Sequence, residues 1–244
     1  MAYAAYVLCT APRSGSTLLC NLLRDTGVAG HPGSHFHRPS LADWRRSHDL
    51  PDTATLPQII AAATKTGRGN TPIFGLRLQR HSAPFFFDQL ATQHPEASSD
   101  MARLTATFGP TALIYLHRAD KLAQAVSLVR AAQSGLWHRN ADGSELERTA
   151  PPQAPRYDRA AIAKAVADVT AYDAGWEDWF AQERVTPLRL DYSALSDDPV
   201  AVLSQTLDHL GLDARAAQSI TPAVAKLSDA TNAAWITRFG SEGT

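Results

Sequence analysis

The chain has 244 residues, 44% of them hydrophobic and 19% charged, and a formal net charge of −1. That size and composition fit one globular domain with a sizeable core, and the balanced charge excludes a general pull toward nucleic acid or an anionic membrane surface. Any anion site must therefore be local. The two cysteines, Cys9 and Cys20, sit among apolar neighbours and read as small core residues rather than a disulfide framework. No run approaches 18 apolar residues and no basic-then-apolar leader opens the chain, so the expectation is a cytoplasmic protein without membrane insertion.

In chain order, Tyr3 to Cys9 is an apolar strand. It runs into Ala11-Pro12-Arg13-Ser14-Gly15-Ser16-Thr17-Leu18-Leu19, which reads as a tight turn and the first turn of a helix reaching about Asp25. Gly15 lets the backbone curl, Ser14, Ser16 and Thr17 offer hydroxyls, and Arg13 supplies a permanent charge. A strand, an anion-cradling loop and a helix N-terminus together make a phosphate or sulfate site. Residues Thr26 to Gly30 end that helix and are expected to start a short strand. A helix is expected over Leu56 to Lys65, a strand over Ile73 to Leu78, and helices over Pro84 to Leu90 and Ser98 to Phe108. Ala112 to Leu116 is too short for most helices and reads as a buried strand.

The next helix starts near Asp120 and stops at Gly135. The polar stretch Arg139 to Pro155, with Gly143 and its closing prolines, is expected to be a mobile loop or lid. Ile162, Val166, Val169, Tyr172, Trp176 and Trp179-Phe180 at helical spacing mark a long amphipathic helix. Leu188-Arg189-Leu190 is a further strand, and Pro199 opens a helix ended by Gly211. Alternating strands and helices predict an α/β fold: a single domain over residues 1–244 with a mostly parallel central sheet flanked by helices.

The strand ending at Leu116 delivers His117-Arg118 to the carboxyl end of the sheet, where ligands bind in open α/β folds. Ser127 follows on the next helix. A guanidinium offers planar paired donors to a phosphate, and a hydroxyl adds one more. A nucleotide triphosphatase loop would carry a Lys and two glycines in G-x-x-x-x-G-K-[ST]; here that Lys is absent and Ala11 stands at the first Gly position.

Several segments together resemble the bacterial trehalose 2-sulfotransferase family. They are Ala11 to Leu19, Thr26-Gly27-Val28-Ala29-Gly30, Phe74-Gly75-Leu76-Arg77-Leu78, His117-Arg118-Ala119-Asp120-Lys121, Gln124-Ala125-Val126-Ser127, Arg130-Ala131, Trp176 with Trp179-Phe180, Asp191-Tyr192, and Asn232 to Trp235 with Arg238. The resemblance spans nearly the whole chain. It implies a P-loop-like sulfotransferase fold and 3′-phosphoadenosine 5′-phosphosulfate (PAPS) as donor. It further implies Arg13, Ser14, Gly15, Ser16, Thr17 and Leu18 on the 5′ side, Arg118 and Ser127 on the 3′-phosphate, no metal, and a homodimer.

The chain departs from that family where Glu-Pro-x-Glu-Phe-Phe would follow Gly30. Here the run is His31-Pro32-Gly33-Ser34-His35-Phe36-His37. Without a gap the position of the proposed general base falls on Ser34; with one inserted residue it falls on His35. An imidazole of ordinary pKa near ~6.5 suits proton removal from a hydroxyl at neutral pH, whereas a serine does not. His31, Ser34 and His37 are then the candidate acceptor-binding residues. The same three histidines do not read as a metal site, because Pro32, Gly33 and Pro39 break any regular spacing. Arg77, where the family usually has Lys, is the candidate for neutralising the transferring sulfonate.

The leading expectation is thus sulfuryl transfer from PAPS to a hydroxyl of a carbohydrate or other small polar acceptor. The alternatives are a non-catalytic PAPS- or phosphonucleotide-binding protein and a P-loop-type kinase, the latter supported only by Asp191 at a strand end.

Overall fold

The computed structural model describes residues 3–139, 144–221 and 230–242. Its sheet has four parallel strands in the order β2-β1-β3-β6. These are β1 (Ala5–Thr10), β2 (Phe74–Gln79), β3 (Thr111–His117) and β6 (Leu188–Asp191). Successive side chains of a strand point to opposite faces, and β1 feeds two cores accordingly. Ala5, Val7 and Cys9 pack with residues of α3 (Leu56–Arg68), α4 (Ala83–Gln93), α5 (Asp100–Phe108) and α7 (Arg159–Glu183). Tyr6 and Leu8 pack on the other face with residues of α1 (Ser16–Asp25) and α9 (Pro199–His209). A strand covered on both faces is a continuous apolar run, which is how β1 and β3 read in the sequence. Cys9 and Cys20 are free and buried.

The strand order sets where a ligand can bind. The chain leaves β1 toward β2 and leaves β3 toward β6, so the connections diverge between the carboxyl ends of β1 and β3. That divergence is the switch point at which open α/β sheets form their binding crevice.

Several features differ from the sequence reading, among them helices α8 (Tyr192–Asp197) and α10 (Ala230–Ser241), which it did not name, and three more. No strand follows Gly27. Gly27 and Gly30 have φ of 70° and 71°, a left-handed backbone no strand accommodates, and a Cβ on Gly30 would stand 2.6 Å from the carbonyl oxygens of Gly67 and Ile73. A seven-residue helix, α2 (Leu41–Ser47), was not anticipated because it is too short for periodicity to show; Ser40 caps it and Trp44 anchors it. The stretch expected as a mobile loop or lid, Arg139 to Pro155, contains β5 (Glu145–Arg148), which pairs antiparallel with β4 (Leu136–Arg139) at its start. Residues 140–143, near the start of the expected lid, lie outside the described residues. The hairpin is tied down where Arg148 Nη1 donates to the Ser134 carbonyl at 2.7 Å. The remaining helix is α6 (Lys121–Ser134), with a short 3₁₀ turn over Ala214–Ser219. No helix among the described residues is long and apolar enough to cross a membrane.

Candidate active site

The loop after β1 is held from three sides. Thr10 Oγ1 donates to the Leu116 carbonyl at 2.9 Å and lies 2.5 Å from Ser14 Oγ. Gln124 Nε2 on α6 donates to the Pro12 carbonyl at 2.7 Å, and Trp176 Nε1 on α7 donates to the Thr10 carbonyl at 2.8 Å. The chain turns through Arg13 at φ 62° and Gly15 at φ 89°. The left-handed region costs a non-glycine residue roughly 1–2 kcal/mol, so Arg13 holds that conformation only because its surroundings fix it. Gly15 is required sterically as well: a Cβ there would stand 2.6 Å from Cδ2 of Tyr192.

No side chain caps the N-terminus of α1. By contrast, Ser99, Asp120, Asp158 and Asp198 cap α5, α6, α7 and α9 with side-chain oxygens. The first turn of α1, with Ser14 and Ser16 buried beside it, therefore keeps the donor set and positive dipole end that an anion needs.

Two arginines converge on this loop. Arg13 donates from Nε to Ser127 Oγ at 3.0 Å and from Nη1 to the Trp137 carbonyl at 2.5 Å. Arg118, delivered by the end of β3, lies with its guanidinium 4.3 Å from the centre of the Tyr192 ring and with Nη1 3.5 Å from the Arg13 carbonyl. Burial, then the neighbouring Arg118 charge, pushes Arg13 down to about 10. Burial likewise lowers Arg118. Two partly desolvated cations facing each other gain most from a shared anion. Asp191 caps α8 by accepting from the Ser193 backbone N–H at 2.7 Å and lies 3.6 Å from His117 Nδ1.

A third arginine joins the loop to the neighbouring strand. Arg77 on β2 donates from Nη1 to Thr17 Oγ1 at 2.7 Å and from Nε to Ser34 Oγ at 2.8 Å. Residues 31–37 run along the outer edge of β2. Gly33 pairs with Leu76, the Arg77 backbone N–H donates to the Gly33 carbonyl at 2.9 Å, and Ser82 Oγ donates to the His37 carbonyl. Ser34 is thereby set beside Arg77.

The three histidines of this loop part company. His31 packs over Gly69 at the end of α3, where an added Cβ would stand 2.8 Å from its ring. His35 is turned inward: its ring lies 5.8 Å from those of Phe74 and His48, and Nε2 is buried with no hydrogen-bond partner. Burial, then the His48 ring, pushes His35 down to about 4. This differs from the outward-facing group that the sequence suggested, because the Gly33–Leu76 pairing fixes the strand-edge phase and sends Ser34, not His35, toward Arg77. His37 is exposed, with its ring 5.2 Å from that of His81 and perpendicular to it.

The structure thus gathers Arg13, Ser14, Gly15, Ser16, Thr17, Arg118, Ser127, Arg77 and Ser34, while Leu18 packs into the core beneath. Sequence reasoning named Tyr192 and Gln124 only within the segments that carry the resemblance, with no role given to either, and singled out neither His81 nor the Trp137 carbonyl. Its place in the Asp191-Tyr192 segment of that resemblance was the signal for Tyr192, and a backbone carbonyl leaves none. Among the described residues no group of three or more His, Cys, Asp or Glu side chains is placed to hold a metal.

An uncapped helix end, two arginines at the switch point and a third bridging to the next strand make a cationic cleft on an α/β sheet, suited to an anionic ligand. The chain matches the family described as Stf0 sulphotransferase over residues 5–242, and it belongs to that family; it is a sulfotransferase. It is 30% identical to the trehalose 2-sulfotransferase of Mycolicibacterium smegmatis, across 96% of this chain and 94% of that one. It is 27% identical to the trehalose 2-sulfotransferase of Mycobacterium tuberculosis, across 97% and 94% respectively. A crystal structure of a sulfotransferase from Alicyclobacillus acidocaldarius superposes with a TM-score of 0.47 at 15% identity, covering 99% of this chain and 93% of that one.

Proposed function

We propose that this sulfotransferase takes its sulfuryl group from PAPS and passes it by in-line displacement to a hydroxyl of a carbohydrate. PAPS, when bound, supplies an activated sulfonate on a phosphate leaving group. Arg13 and the Ser14 to Leu18 backbone at the uncapped α1 terminus hold the 5′-phosphosulfate. Arg118 and Ser127 hold the 3′-phosphate, with Tyr192 keeping the Arg118 guanidinium flat. Arg77 neutralises charge that develops on the sulfonate and the leaving phosphate, since donors fixed in advance need no reorganisation as the reaction proceeds. Ser34, with His31 and His37 along the same loop, faces the acceptor.

The observation that carries this reading is Arg77, which reaches from the edge of β2 to Thr17 on α1 and to Ser34 on the acceptor loop. One cation touches both halves of the site, which is what a group passing between them requires. The names of the two curated relatives support a sugar acceptor, and trehalose is the first to test. Its fit is altered here, because His31 and Ser34 stand where the resemblance expects carboxylates, and a neutral imidazole or hydroxyl accepts fewer sugar hydroxyls than a carboxylate does. The proposal also includes a cytoplasmic site of action, read by fractionation, and a homodimer, read by light scattering.

The test is donor-specific stabilisation followed by turnover. 3′,5′-Adenosine diphosphate at millimolar concentration, bound with micromolar affinity, should stabilise the fold by roughly 4 kcal/mol. ATP with Mg²⁺ should do far less. Release of 3′,5′-adenosine diphosphate from PAPS should then depend on added sugar. Equal stabilisation by ATP with Mg²⁺ would count against the donor assignment, and sugar-independent release would count against the acceptor class.

A further inference from the structure

We propose that His37, backed by His81, accepts the proton of the acceptor hydroxyl; this rests on the sulfotransferase reading above. Three geometric observations carry it. First, the His37 backbone is clamped to the turn after β2, because its carbonyl accepts from Ser82 Oγ, so the residue is fixed at the same edge as Arg77. Second, its ring is exposed and meets the His81 ring edge to face at 5.2 Å, while His81 in turn lies 5.8 Å from the ring of Tyr172 on α7. The pair is a built wall, assembled from the acceptor loop, the end of β2 and the long helix. Third, His35, the other imidazole on the loop, keeps Nε2 inside the protein against Phe74 and His48 and presents no base there.

The electrostatics agree. Partial desolvation at the His81 contact lowers the pKa of His37 although one face of the ring stays exposed, and the Arg77 and Arg38 charges lower it further, with Glu147 opposing them. Burial and then His37 push His81 down to about 4. Both rings are therefore neutral near pH 7, and a neutral imidazole is the form that takes a proton. The step balances without a further reactant. The acceptor oxygen forms its bond to sulfur as the bond from sulfur to the 5′-phosphate oxygen breaks. That electron pair leaves on 3′,5′-adenosine diphosphate, and the hydroxyl proton passes to an imidazole nitrogen of His37 and then to solvent. The groups facing His37 are Arg77 on β2, Arg38 on its own loop, His81 after β2 and Glu147 on β5.

The experiment measures turnover of the full chain as 3′,5′-adenosine diphosphate released from PAPS, with trehalose and with water alone as acceptors. Donor affinity is measured separately by calorimetry. His37→Ala should lower turnover by about 10²–10⁴-fold with donor affinity retained, and added imidazole should restore part of it. The fall in wild-type activity toward acid pH should disappear in this variant. His81→Ala should cost less and shift that acid limb to higher pH, because opening the wall rehydrates the His37 imidazolium. A His37→Ala enzyme that keeps more than half its turnover, or one that loses turnover with no imidazole rescue, overturns the proposal. So does a His35→Gln enzyme that loses the acid limb while His37→Ala keeps it. Failure of wild type to bind 3′,5′-adenosine diphosphate strikes the donor reading instead, and calorimetry separates the two.

Discussion

On the β1–β3 side of the sheet, the anion site is made from consecutive residues on rigid elements. One turn, one helix start and one strand end bring Arg13, Ser14 and Arg118 together, and Gln124, Trp176 and Tyr192 lock them from α6, α7 and α8. On the β2 side, the acceptor wall is made from a loop laid along a strand edge, held by one backbone pairing, two hydroxyls and a ring contact. The first half presents fixed donors to a ligand whose charges never change position. The second must meet an acceptor whose shape differs among enzymes with the same donor chemistry. In the proposed site, rigid backbone therefore serves the shared substrate and loop side chains the variable one.

Arg77 is where the halves meet, and its removal is the strongest way to break the comparison. Arg77→Ala should lower turnover by roughly 10²–10³-fold, the cost of losing one prearranged donor to developing charge. The affinity for 3′,5′-adenosine diphosphate should fall less than turnover does, because that product keeps the leaving phosphate but carries no sulfonate. Calorimetry beside steady-state kinetics decides this. An Arg77→Ala enzyme that loses donor affinity in proportion to turnover would assign Arg77 wholly to the donor half.

In the proposed site Arg118 serves the donor half alone. Arg118→Ala should weaken 3′,5′-adenosine diphosphate by roughly 1.5–3 kcal/mol, the scale of a charge-assisted hydrogen bond. Adenosine 5′-phosphate, which lacks the 3′-phosphate, should bind wild type and variant alike. Equal loss for both nucleotides would remove the 3′-phosphate assignment.

The same division explains what could be read in the sequence. The donor loop was legible because nine consecutive residues carry a complete anion cradle, and Arg118 and Ser127 were legible because a strand end and the helix after it lie close in the chain. The alternation of strands and helices gave the parallel sheet for the same local reason. The acceptor loop was ambiguous between Ser34 and His35, since a one-residue slip along an edge reverses which side chain faces the site. Only the pairing of Gly33 with Leu76, 43 residues apart, resolves it. The Trp137 carbonyl on Arg13 and the ring of Tyr192 under Arg118 were invisible because they are contacts across more than 70 positions, and one of them involves no side chain. The helix α2 and the β4–β5 pairing fell below the length at which periodicity speaks.

His35 sharpens the contrast in a different observable. Its pKa is about 4 in the folded protein, against about 6.5 in an unfolded chain. Between those values the unfolded state binds more protons, so this group's contribution to stability is full above about pH 6.5 and is lost as pH falls toward 4. His81 acts in the same direction. A His35→Gln variant, which cannot protonate, should show a shallower fall in its urea midpoint between pH 7.5 and pH 4.5 than wild type. An unchanged slope would mean that the ring is solvated and free to reach the acceptor, which restores His35 to the chemistry.

Ser34 carries the smallest expected effect and the finest distinction. Its hydroxyl accepts from Arg77 Nε at 2.8 Å, while Arg77 Nη1 still has Thr17 at 2.7 Å. Ser34→Ala therefore leaves Arg77 anchored at one end and removes a single hydrogen bond from a half-buried group, worth about 0.5–1.5 kcal/mol. The guanidinium edge it frees lies on the acceptor side. The expected result is a fall of roughly 2–12-fold in kcat/KM for the acceptor, with the affinity for 3′,5′-adenosine diphosphate unchanged. A fall of a hundredfold or more in kcat itself would make Ser34 a participant in proton transfer and not a support for Arg77. That outcome would move the base three residues along the loop and away from the His37–His81 wall.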